Sequence, residues 1–162
     1  ERYLVRFSKI WRTIVQNTES QIKNTRRIYM GNQNKYNYNQ QMDIKFDYLE
    51  KITIKDIVRN NKDKWFNQSL CEVNSSILRL GIFEGKYHMH KHENDDEVFF
   101  VLEGAMVLET EKGNFDLGQY EGTCVPKGIM HRPVVSKGKA VVLMIENKGI
   151  GSYRYSIENF HL

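Results

Sequence analysis

Four side chains stand out for what they could do together: His90, His92, Glu97 and His131. His88, His90 and His92 alternate, and a strand sends every second side chain to the same face, so a strand over Tyr87–His92 would aim three imidazoles one way. The polar stretch Glu93-Asn-Asp-Asp96 turns the chain back, and Glu97 opens the next apolar run beside that face. Further on, Pro126-Lys-Gly-Ile-Met-His131 ends a turn constrained by Pro and Gly in a lone histidine. Three imidazoles and one carboxylate suit one divalent transition ion, whether Mn, Fe, Co, Ni or Zn. Imidazole is a borderline donor, the carboxylate supplies charge, and positions remain for water or substrate. A single inward histidine would be an ordinary packed or hydrogen-bonded side chain. Two at alternate positions, a glutamate five residues on, and Pro-x-Gly-x-x-His form a pattern with ligand type and spacing both right.

Other residues near this pattern carry weaker readings. Alternation puts His88 on the ligand face one step before His90, where it would serve as a proton carrier near neutral pH or simply hydrogen-bond at the mouth of the site. Glu97 is the second proton-moving candidate. Phe99 and Val101 share a face with Glu97 and would wall a pocket or fill the core. Arg79 and Arg132 could meet an anionic substrate, although strand arginines are more often solvated.

The elements that position these residues are strands. Ile52–Ile54, Ser69–Val73, Ile77–Phe83, Tyr87–His92, Glu97–Leu102, Met106–Thr110, Asn114–Leu117, Thr123–Val125, Pro133–Val135 and Ala140–Ile145 read as short strands, and Lys55–Asn60 as a brief helical turn. Gly and polar residues punctuate them at Glu84-Gly85, Glu103-Gly104, Glu111-Lys-Gly113, Gly122, Gly128 and Lys137-Gly138. So many short strands predict an all-β sandwich or barrel over residues 42–162. Ahead of it, Glu1 to about Gln21 has Leu4, Phe7, Trp11, Ile14 and Val15 on one helical face and Arg2, Arg6, Lys9 and Arg12 on the other. Residues 31–41 are a polar Asn/Gln/Tyr tract that reads as a linker. The domain division expected is therefore 1–41 and 42–162.

Composition narrows the classes. The chain has 162 residues and a net charge of +4. Residues 1–41 hold eight basic side chains against two acidic, leaving the remainder at −2, so the basic balance belongs to the leader and gives no reason to expect nucleic acid. No apolar run approaches the roughly 20 residues of a membrane-spanning helix. Cys71 and Cys124 lie far apart in strand-like stretches and read as small buried residues in a reducing compartment.

Gly85–Gly104 (GKYHMHKHENDDEVFFVLEG) resembles the first cupin motif, and Gly118–Val135 the second. Residues 42–162 are similar to the small single-domain cupins often described as mannose-6-phosphate-isomerase-like. That resemblance implies a cupin-type double-stranded β-helix, or jelly-roll barrel, here with an N-terminal amphipathic helix extension. It matches His90, His92 and Glu97 to the first-motif ligands and His131 to the second-motif ligand. Two positions depart from the pattern: Gly85 stands one residue closer to His90 than usual, and Val135 replaces an Asn. The resemblance further implies a metal-dependent enzyme of isomerase, dioxygenase or lyase type acting on a small polar or anionic molecule, and a homodimer. The alternative is a metal-stabilised binding or accessory module docked to a larger assembly through residues 1–21. A cytoplasmic setting is expected, or a mitochondrial one if the Arg-rich, acid-poor leader is a targeting segment. The chain opens on Glu1 rather than Met, as a piece of a longer translation product would.

Overall fold

Alternating apolar and polar residues build strands that need covering on one face or both, and the computed structural model, which describes residues 38–148, is correspondingly almost all strand. In chain order it has β1 (Asn39–Gln41), α1 (Lys55–Asn60), β2 (Trp65–Val73), β3 (Ser76–Lys86), β4 (Glu97–Glu103), β5 (Met106–Thr110), β6 (Gly113–Leu117), β7 (Gly122–Val125) and β8 (His131–Asn147). Hydrogen bonding runs β1-β2-β3-β8-β4-β7, while β5 joins β8 and β6. Among the described residues only β1 and β2 run parallel. This is the all-β cupin-type barrel anticipated above. The helix expected over residues 1–21, most of the polar tract, and the tail from 149 lie outside the described residues. Among the described residues no helix is long and apolar enough to cross a membrane.

The registers assign each side chain to a face. Ser69 pairs with Arg79, Arg79 with Met144, and Met144 with Phe99, so these four share the barrel interior. Phe83, Phe99, Val101, Leu108, Val142 and Met144 belong to the buried cluster filling it. The intervening residues face outward, where Leu70, Leu80, Ile82 and Val141 form a second buried cluster against Phe46, with Ile57 and Val58 of α1 packed on it. The centre of the sheet is thus covered on both sides, which is why β3 reads as a nearly unbroken apolar run. Fully burying one such Leu contributes about 1.5–3 kcal/mol.

Several local expectations change. Asn39–Gln41, read as linker, is β1, in register with Phe66–Gln68. Ile52–Ile54 is not a strand; its last residue leads into α1, with the Ile54 carbonyl accepting from Val58 N–H at 2.9 Å. Pro133–Val135 and Ala140–Ile145 are one strand, because the chain passes Lys137-Gly138 by a bulge rather than a hairpin. The register against β3 jumps from Phe83↔Ala140 to Gly85↔Val135, and Gly138 takes φ +68° there. Cys71 is half-buried and Cys124 exposed, since Cys124 pairs with Val98 and shares its outward face on β7, an end strand of that hydrogen-bonded path.

Candidate metal centre

Tyr87–His92 does not form the regular strand its alternation predicts. Tyr87 N–H donates to the Pro133 carbonyl at 3.1 Å, whereas His90 and His131 exchange both backbone bonds, at 3.0 and 2.8 Å. The offset between these two points is one residue, so the ladder is interrupted and only an isolated bridge at His90↔His131 survives. That bridge sets His90 beside the first residue of β8. The next loop is tied in as well: Gly128 N–H donates to the His92 carbonyl at 2.7 Å, and Lys127 N–H to Asp96 Oδ1 at 2.9 Å.

The four predicted ligands come together. One ligand atom from each of His90, His92, Glu97 and His131 lies within 4.8 Å of the others, and all four residues are buried. Nε2 of His92 and of His131 lie 3.0 and 3.1 Å from the same oxygen, Glu97 Oε2. His131 Nδ1 donates to the Ile129 carbonyl at 2.9 Å, and His90 Nδ1 to the His88 carbonyl at 3.2 Å. A carbonyl only accepts, so both Nδ1 atoms carry the proton and the neutral rings turn a lone pair on Nε2 inward. His131 can donate to Glu97 only as imidazolium. Burial pushes the Glu97 carboxyl up, but hydrogen bonds from His131 and His92 and the charges of His92 and His90 outweigh it and hold the group well below the usual carboxylate range. Such a buried carboxylate needs positive charge in front of it, and a divalent ion in place of the shared protons meets that need. The residues present therefore fit a metal.

The remaining candidates sort differently. His88 is half-buried and outside the four-atom cluster; its ring lies 4.3 Å from Tyr87 and 5.2 Å from His90, centroid to centroid. Phe99 and Val101 are core, with Phe99 meeting the His131 ring edge-on at 5.8 Å. Val135 is 3% exposed and packed in that core, which explains an apolar residue there. Arg132 is engaged by Glu109 through Nε at 2.7 Å and Nη2 at 2.6 Å. Arg79, expected to be solvated, is instead buried at 2% exposure, ion-paired through Nε with Glu146 and donating from Nη1 to Ser69 Oγ at 2.8 Å. This network was missed, although Arg79 and Glu146 both occupy inward positions of their strands and that phase was the available signal. Trp65 was missed too: its ring packs on Phe83 (5.1 Å) and Tyr87 (4.9 Å), and Tyr87 meets His90 edge-on at 5.3 Å.

Comparison with known proteins agrees with this geometry. The cupin domain family matches residues 82–146. The uncharacterized protein YdbB of Bacillus subtilis (strain 168) is 37% identical over 93 residues, covering 57% of this chain and 81% of that protein. Among solved structures, a cupin-2 domain protein of Shewanella frigidimarina is 29% identical with a TM-score of 0.55, covering 59% of this chain and 93% of its own. A Neisseria meningitidis protein is 27% identical with a TM-score of 0.54, covering 60% of this chain and 99% of its own.

Proposed function

The chain belongs to the cupin family, and from that premise we propose that it is a metal-dependent enzyme acting on a small polar or anionic molecule, by isomerase, dioxygenase or lyase chemistry. The observation that carries this is the convergence of four buried donors within 4.8 Å. His90, His92, Glu97 and His131 would hold the ion, which supplies a Lewis acid for polarising a substrate oxygen. The chain supplies orientation: carbonyls of His88 and Ile129 fix the ring tautomers of His90 and His131. Phe99 and the interior cluster exclude water and so strengthen every charge interaction inside. Glu97, held as a carboxylate between two imidazoles, would balance the charge of the ion, and His88, which adjoins His90, is the side chain suited to take up and return a substrate proton.

The test is metal analysis of full-length protein purified without a histidine tag, then a substrate screen in air and under nitrogen. Near-stoichiometric transition metal with turnover is expected. Turnover only in air selects dioxygenase chemistry, and equal turnover selects isomerase or lyase chemistry. Metal bound without turnover on any substrate class would instead assign a binding module. Protein free of metal after loading would overturn the reading.

A further inference from the structure

On the surface, between the outer edge of β2 and the segment that follows β1, lies a groove of about 520 Å³ with Ile44, Tyr48, Leu49 and Ile52 among its walls. All four of these apolar side chains are exposed, and Leu49 takes φ +63°, a backbone region unfavourable to a bulky residue. Exposed apolar side chains grouped in this way mark a surface that something covers. Cys71 and Glu72 form the β2 side of the groove. β1 pairs with Phe66–Gln68, and the Ser69 and Leu70 carbonyls accept from Lys45 and Phe46 N–H at 3.1 and 2.9 Å. Beyond them no strand among the described residues lies along the outer edge of β2, so residues 71–73 present an open edge to the groove. The exit from β8 is fastened at the same place. Asn147 and Val73 both pair with Ser76, Lys148 N–H donates to the Ser75 carbonyl, and Lys148 Nζ donates to Glu72 Oε2, the last two at 2.8 Å. Glu72 thus anchors Lys148 and walls the groove at once.

We infer that residues 149–162 of this chain dock in the groove as an extended segment, with Tyr153, Tyr155 and Ile157 facing into it. These residues lie outside the described ones, and their sequence carries the match. Tyr153, Tyr155 and Ile157 alternate with Arg154, Ser156 and Glu158, which would give a strand one apolar face, and Tyr and Ile favour strands. Gly149 and Gly151 let the backbone turn as it leaves Lys148. A segment laid on an open sheet edge satisfies the backbone groups of that edge, while its alternate side chains fill the pocket beside it. Asp47 and Glu50 also line the groove, opposite in charge to Arg154. Proximity decides between occupants. The segment begins at Lys148, in contact with the groove wall, and a partner on so short a tether has an effective concentration of about millimolar. A second copy of the chain at micromolar concentration competes poorly with that.

Cys71 supplies the test, because it is a free thiol in the groove. To the full chain carrying Cys124→Ser, one of Tyr153→Cys, Arg154→Cys, Tyr155→Cys, Ser156→Cys or Ile157→Cys is added. Disulfide formation with Cys71 under diamide is then followed by mass spectrometry. An intramolecular disulfide is expected, formed at least 10-fold faster from the best of positions 153, 155 and 157 than from 154 or 156. Equal rates at all five positions would describe a tethered but undocked segment. Disulfides only between chains would make the occupant a second copy, and no disulfide at all would leave the groove to something else. Each of these three results would overturn the proposal. Amide exchange gives a second reading free of cysteine chemistry. Tyr155→Asp combined with Ile157→Asp should speed exchange across residues 44–52 and 71–73 at least 10-fold, with metal content unchanged. Exchange no faster than in the wild type would count equally against docking.

Discussion

His131 is fixed from three directions: its backbone exchanges both bonds with His90, its Nδ1 donates to the Ile129 carbonyl, and its Nε2 faces Glu97. Replacing it by Ala should lower metal affinity by more than the ~10–100-fold that losing an outer partner of a ligand costs. The barrel should stay folded, because the apolar core and not the ion holds it. Metal analysis with circular dichroism checks both halves. At the rim, hydrogen bonding to Arg132 is the largest influence on Glu109 and holds its carboxyl below the ordinary value of 4.5. A depressed carboxyl stabilises the fold above its unfolded value and loses that contribution as pH falls through the lower folded value. Arg132→Met should therefore be less stable than the wild type at neutral pH, with the gap closing below pH 4.5, and its Glu109 should titrate higher by NMR. Both side chains are about a quarter exposed, so the gap should be modest. The meeting of His90, His92, Glu97 and His131 was legible from residue type and spacing. The packing of Trp65 on Tyr87 was not, because the partner of an aromatic ring is fixed only once the register is known.

The elements show where local signals are weak. Alternation over Tyr87–His92 announced a strand, yet its two contacts with β8, one residue out of register, leave only a bridge, and His88 ends outside the cluster that its phase predicted. Lys137-Gly138 announced a turn, yet the chain absorbs it as a bulge because β3 and β4 supply ladder partners on both sides of β8. Cys124 looked buried because its stretch is apolar, but pairing opposite Val98 turns it outward. Periodicity reports the phase of a side chain; it does not report how many sheets cover it. Gly104, between β4 and β5, tests backbone geometry directly. It sits at φ +80°, and a Cβ there would strike the Lys139 carbonyl oxygen, so Gly104→Ala should cost about 1–3 kcal/mol or more in denaturant unfolding. In the outer cluster, Leu80→Ala should cost about 2–5 kcal/mol, since the residue is fully buried and flanked by sheet on both edges.

For the whole molecule, the outer face of the sheet is covered by α1 and the Phe46 segment over part of its width only. Phe100 and Ile145 remain 38% and 44% exposed on adjoining strands. A homodimer joined there would bury them at about 1.5–3 kcal/mol each before ordering costs. Sedimentation at micromolar concentration should give twice the chain mass, and Phe100→Lys should return it to one. β8 also bears on how the protein is made. It is the last described strand, it pairs with β3, β4 and β5, and it begins with His131. During vectorial synthesis at about 5–20 residues per second, β3 and β4 must therefore wait, apolar and with one edge unpaired, until the final partner has emerged. His90, His92 and Glu97 are already translated by then, with no fourth donor to meet. The nascent chain thus spends seconds needing protection from aggregation, and the four donors can meet only once the start of β8 has been made.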